Sequence, residues 1–121
     1  MKKGFTLVEI MIVVAIIGII IAIAVPAFIR ARENSRGRAC QENLTKIEGA
    51  KEQYILEERQ SATVVPTWGN LILADGTGYL KSTPRCPSGG TYAINDGVSA
   101  PTCTGANAPS WAPQHAISSI Q

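Results

Sequence analysis

Met1-Lys2-Lys3-Gly4-Phe5-Thr6-Leu7-Val8-Glu9, followed by twenty uncharged residues from Ile10 to Ile29, is the stretch that decides how this chain is read. Twenty uncharged, mostly apolar residues are enough to cross the hydrocarbon of a bilayer as a helix. An ordinary secretory signal places a small-residue cleavage site after its apolar core, and Ala22-Ile23-Ala24 has that composition. Three features argue against that reading. The run is longer than a usual signal core, a glutamate sits near its start, and a helical pattern continues past it from Arg30 to Glu58. A simple membrane anchor explains the length but not Glu9, since a carboxylate at that depth costs about 2 to 3 kcal/mol to insert. A charge placed there at such a cost points to an assigned partner.

With 121 residues the chain has room for one domain, and the part behind the apolar run is small, rich in Gly, Pro, Ser and Thr, and poor in large apolar groups. It is expected to lean on a long helix, on crosslinks or on neighbouring copies. The net charge of +2 comes from Lys2 and Lys3; without Met1 to Gly4, nine basic and nine acidic side chains remain. The alkaline pI therefore says little about a nucleic-acid partner, which is not the expected one. Arg30, Arg32, Arg36 and Arg38 crowd behind the span and read first as a membrane-interface flank, with a DNA-contacting patch as the alternative. Basic residues thus lie on both sides of it, so the positive-inside rule does not fix its orientation.

Lys-Gly, then Phe-Thr-Leu-Val-Glu and an Ile/Val-rich helix, closely resembles the class III signal of type IV pilins and type II secretion pseudopilins. The resemblance covers residues 1 to about 30. It implies that a membrane peptidase removes residues 1–4 by cutting between Gly4 and Phe5, then methylates the new Phe5 amino group. It also implies that Glu9 meets the Phe5 amino group of a neighbouring subunit. Opposite charges in a low-dielectric bundle attract strongly and each is costly alone, so such a pair sets axial register. The expected partners are further copies in a helical filament, the prepilin peptidase and methylase, and an inner-membrane assembly platform. The expected localisation is a single-pass precursor in the inner membrane, N-terminus cytoplasmic, and then a surface pilus, or a periplasmic filament for a pseudopilin. The type IV pilus is the leading reading, because the proline- and tryptophan-containing calcium-loop pattern of major secretion pseudopilins is not evident here.

The fold expected is α+β and pilin-like: a long N-terminal helix packed on a small antiparallel sheet with irregular C-terminal loops. Residues 5–29 form the membrane and filament-core helix, 30–60 an amphipathic continuation, and 61–121 a small hairpin-and-loop domain. Together the helical parts would span on the order of 80 Å. Pro26 removes a backbone donor and is expected to kink or locally open the helix near Ala22 to Pro26. Cys40, Leu44, Ile47, Tyr54 and Ile55 fall on one stripe, with Glu42, Lys46, Glu52, Glu57 and Glu58 mostly opposite. Lys51 falls on the apolar stripe, a mismatch unless its stem snorkels. Thr67 is placed to cap a short helical turn through Leu71 or Ile72. Thr91 to Asn95, Asp96-Gly97 and Val98 onward read as a hairpin with a two-residue primed turn, Pro101 holding the second strand to an edge. Tyr79-Leu80-Lys81 to Cys86-Pro87-Ser88-Gly89-Gly90-Thr91-Tyr92, with Pro101-Thr102-Cys103, also resembles the C-terminal region of small pilin-like proteins.

Cys40, Cys86 and Cys103 would all be exported, where one disulfide and one remaining thiol is the simplest arithmetic. Cys86 and Cys103 flank the hairpin and are the expected pair, a crosslink contributing about 3 kcal/mol in the chain-entropy model. A strict Asp96-Gly97 hairpin sets Gly90 opposite Cys103, so that pairing requires Gly89 and Gly90 to turn the chain back. Cys40 reaching either loop cysteine is the open alternative. No cofactor or metal is expected: the cysteines lack zinc-ligand spacing, His115 stands alone, and the glycine pairs lack a strand-loop-helix context. Asp75 and Asp96 read as turn residues, and Ser110, Ser118 and Ser119 have no base nearby. Enzyme is the losing class. A membrane-tethered binding module would place function in Trp68, Tyr79, Tyr92 or Trp111, residues that in so small a domain read first as core or interface.

Overall fold

The computed structural model describes residues 3–104, so Trp111, His115, Ser110, Ser118, Ser119 and the irregular tail expected beyond Thr104 lie outside the described residues. The elements in chain order are α1 (Leu7–Glu57), α2 (Trp68–Leu71), β1 (Tyr92–Ala93) and β2 (Thr102–Cys103). The architecture is the α+β, pilin-like one expected. The chain divides into two compact units, residues 1–32 and 33–121, each considered by itself.

In the first unit the helix begins at a capping box. The Thr6 backbone N–H donates to Glu9 Oε2 at 2.8 Å, and the Glu9 N–H donates to Thr6 Oγ1 at 3.3 Å. Thr-x-x-Glu satisfies two of the backbone donors that a helix N-terminus leaves open. Beyond it the side chains are predominantly Ile and Val, modest helix formers whose helicity in lipid is enforced because every backbone group must be bonded internally. Pro26 lies inside α1, which continues on both sides of it.

In the second unit Gly37, Cys40, Leu44, Ile47, Ala50 and Lys51 form the buried stripe of α1. Against it pack Leu71, Cys86, Tyr92, Ile94 and Cys103, with Tyr54, Trp68, Ile72, Tyr79 and Leu80 half-buried around them. Tyr54 meets Tyr79 edge-to-face, ring centroids 6.1 Å apart. The helix ends through a reverse turn in which Gln60 N donates to Ile55 O and Arg59 adopts φ 50°. This satisfies a terminal carbonyl, but with arginine in the left-handed position that glycine ordinarily takes. Thr67 is the N-cap of α2, and its N–H donates to Asn70 Oδ1 at 2.9 Å.

The hairpin differs from its expectation. The strands pair antiparallel with Tyr92 opposite Cys103 and Ala93 opposite Thr102. A two-residue turn at Asp96-Gly97 would instead set Gly90 against Cys103. The physical reason lies in residues 94–101, which form a wide loop tied down at several points. Asn95 takes φ 58° and its Nδ2 donates to Ala100 O at 2.8 Å. Ser99 N donates to Asp96 Oδ1 at 2.7 Å, and Gly97 N donates to Ala62 O at 2.7 Å. Gly97 is needed for close approach rather than for a left-handed φ: a Cβ there would lie 2.6 Å from Ile55 Cδ1 and 2.8 Å from Ala62 O. Lys51 completes the anchoring. Its side chain is fully buried and does not snorkel; Nζ donates to Ser99 O at 2.7 Å and lies 3.6 Å from Glu48 Oε1. The charged residue on the apolar stripe is therefore the pin that holds the loop to α1.

Candidate functional site

The feature that most needs explaining is the surface of the first unit. Seventeen large apolar side chains between Phe5 and Ile29 are exposed, Phe5 at 85% and none below 48%. They surround the helix on every side, so no single face can be turned inward. An apolar surface of this extent has to be covered, by lipid, by other copies or by both. Among the described residues α1 is the one helix long and apolar enough to cross a membrane.

Phe5 and Glu9 sit at its head. Gly4 and Phe5 precede the first helical turn and are exposed. Glu9 is the first acidic residue of the helix. The carboxylate already has an intrachain role through the Thr6 amide, and Glu9 Oε2 is the atom that takes that bond. The Thr6-x-x-Glu9 spacing is the sequence signal of this capping box.

The second unit gathers the three cysteines. All three sulfurs lie within 4.8 Å of one another, Cys86 Sγ 3.9 Å from Cys40 Sγ. The turn needed to bring Cys86 near Cys103 is present: Gly89 adopts φ 81°, and its N–H donates to Cys86 O at 3.0 Å. Cys40 is fully buried, and burial, the largest influence on it, pushes its thiol pKa up to about 12. Tyr92 Oη–H donates to Cys40 Sγ at 3.5 Å, and Asn43 Nδ2 donates to Tyr92 Oη at 3.2 Å.

The remaining candidates are structural. Tyr92 is core, and Trp68 and Tyr79 pack against that core. The Tyr79 hydroxyl donates to Glu57 Oε2 at 2.8 Å, which raises its pKa to about 12. Asp75 accepts from Thr77 N at 3.0 Å and from Thr77 Oγ1 at 2.7 Å in a local turn. Arg36 pairs with Glu33 at 3.0 Å, so one member of the arginine cluster is partly neutralised.

Comparison with known proteins agrees with this geometry. Residues 1–25 match the family model described as the prokaryotic N-terminal methylation motif. Competence protein ComGC of Halalkalibacterium halodurans is 31% identical over 97 residues, 80% of this chain and 88% of that protein. Type II secretion system core protein G of Klebsiella pneumoniae is 27% identical over 103 residues, covering 77% of this chain and 74% of its own length. Type IV major pilin protein PilA of Myxococcus xanthus is 45% identical over 57 residues, 47% of this chain but 26% of that pilin. No solved structure matches. The chain belongs to the type IV pilin and pseudopilin family, whose members are structural subunits and not enzymes. Membership implies a prepilin that passes through the membrane and is processed by a prepilin peptidase into a filament subunit. The relatives include a pilin, a secretion-system core protein and a competence protein, and so do not separate pilin from pseudopilin.

Proposed function

We propose that this chain is the subunit of a type IV pilus, cut between Gly4 and Phe5, methylated on the Phe5 amino group and polymerised through its N-terminal helix. The observation that carries the reading is the exposed apolar belt from Phe5 to Ile29 interrupted by one carboxylate. In the membrane precursor, lipid covers the belt; in the filament, the helices of other copies replace lipid. That exchange gives little net hydrophobic gain, so selectivity has to come from packing and from polar contacts. Cleavage supplies the missing polar group by creating a cationic amine at Phe5. A neighbour's Glu9 is then a partner worth having, because carboxylate and ammonium each cost energy alone in the bundle and offset one another when paired. The contact fixes the axial step between subunits. An inner-membrane platform delivers the processed subunit to the growing base.

Electron microscopy of sheared surface filaments, with intact-mass measurement of their subunit, tests the reading. The expected result is a filament whose subunit begins at a monomethylated Phe5. A mature chain beginning at Met1, or after Ala24, contradicts it. The secretion-pseudopilin alternative is favoured by one observation: alignment to core protein G spans 77% of the chain, further than alignment to the major pilin. Surface filaments at wild-type expression support the pilus; filaments confined to the periplasm, with a secretion defect on deletion, support the alternative.

A further inference from the structure

From the three-cysteine cluster we infer that the second unit holds a binding site for a thiophilic d10 cation, Zn²⁺ or Cu⁺, with Cys40, Cys86 and Cys103 as its ligands. The residues come from three separate places: the buried stripe of α1, the turn at Pro87 to Gly90, and β2. The fold nevertheless brings their sulfurs within 4.8 Å of one another. Around a single ion with Zn–S bonds of about 2.3 Å, tetrahedral geometry sets sulfurs about 3.8 Å apart. The Cys40–Cys86 separation of 3.9 Å matches that edge. Soft thiolate donors select Zn²⁺ and Cu⁺ over hard cations such as Ca²⁺ and Mg²⁺.

The surroundings supply a further requirement of such a site. Ligand atoms are commonly oriented by an outer ring of donors. Here the chain Asn43 Nδ2 to Tyr92 Oη to Cys40 Sγ, at 3.2 and 3.5 Å, aims an O–H at one sulfur. That donor stabilises negative charge on Cys40 once its proton has left. Cys86 also borders a cavity of about 350 Å³, whose lining includes Arg85, Gly89, Gly90, Thr91 and Tyr92. Binding releases the thiol protons to solvent and involves no oxidation. Three thiolates leave one net negative charge around Zn²⁺ and two around Cu⁺. The lower uncompensated charge favours Zn²⁺ in a buried setting. The ion would pin α1, the Gly89 turn and β2 together, the task a disulfide would do for two of the three. A Cys86–Cys103 crosslink is therefore the competing chemistry, and the two exclude each other.

The test uses the full chain, purified in detergent without oxygen and freed of reductant, titrated separately with Zn²⁺, Cu⁺ and the spectroscopic stand-in Co²⁺. One ion per chain is expected, with a thiolate-to-cobalt charge-transfer band and all three cysteines shielded from alkylation in the intact-mass spectrum. Tyr92→Phe should weaken the affinity about tenfold with the fold retained. Single Cys→Ser changes should abolish the cobalt band. Because those variants are at risk of misfolding, the alkylation protection in the unaltered chain stands as an independent readout. The relative affinities for Zn²⁺ and Cu⁺ identify the ion within the class. Protein isolated from cells with a disulfide between any two of the three and no bound metal overturns the assignment. So does equal binding by a chain lacking all three cysteines, or alkylation that metal does not slow.

Discussion

Residues 7–32 and residues 33–104 belong to the same helix-led chain but are specified in opposite ways. The first has no core of its own and shows apolar side chains all round; its hydrogen bonds are those of the helix and its capping box. Its apolar run is rich in Ile and Val, and the one charge near its start is Glu9. The second has a small core in which individual atoms matter: Lys51 Nζ on Ser99 O, Gly97 against Ile55 and Ala62, three sulfurs in one place. The lesson is that the first region is legible from composition and one charge, whereas the second depends on contacts between residues far apart in sequence.

Changing one residue in each region should therefore produce different kinds of failure. The largest effect is expected from Glu9→Val, which should leave membrane insertion intact or improved while abolishing filaments in cells that carry no other copy. Membrane fractionation and electron microscopy check the two halves. Leu44→Ala, in the fully buried part of α1, should lower the stability of the second unit by about 3 kcal/mol, without changing insertion or cleavage. Denaturant unfolding and intact mass report these. Lys51→Ala should cost about 2 kcal/mol by the same unfolding measurement, since it frees Ser99 O and leaves Glu48 without its cation. Hydrogen exchange should rise first in residues 94–101.

A smaller effect belongs to pH. Hydrogen bonds from Ser99, side chain first and backbone next, hold the Asp96 carboxyl below the usual carboxylate range, with Lys51 adding a lesser pull. A carboxyl whose folded pKa is depressed contributes stability above its unfolded pKa, about 4, and loses it as pH falls through the folded value. Stability of the 94–101 loop should therefore decline below about pH 4, and Asp96→Asn should flatten that part of the profile.

Much of this was readable beforehand, and the failures have physical causes. The apolar helix, the Cys40–Leu44–Ile47 stripe and the Thr67 cap followed from spacing alone. The hairpin register did not, because the Asp96-Gly97 signal is local. What overrode it was Lys51, Asn95 and Ala62 drawing residues 94–101 into a wider loop. Lys51 itself looked like an error on an apolar stripe because its acceptor, a backbone carbonyl 48 residues away, is invisible in sequence. The cysteines were legible only in pairs, Cys86 with Cys103 or Cys40 with either; that all three sulfurs meet depends on contacts between residues far apart in sequence. Glu9 carries a capping bond to Thr6, which the Thr-x-x-Glu spacing announces, beside the intersubunit contact proposed for it.

That double role of Glu9 gives the most direct test. Glutamine can replace glutamate in a capping box but carries no charge to meet an amine. Cells whose single copy carries Glu9→Gln should insert the precursor, cut it after Gly4 and methylate Phe5, yet electron microscopy should show no filaments. Filaments of wild-type number and length on those cells would contradict the account, leaving Glu9 as a helix cap and the register to be set elsewhere.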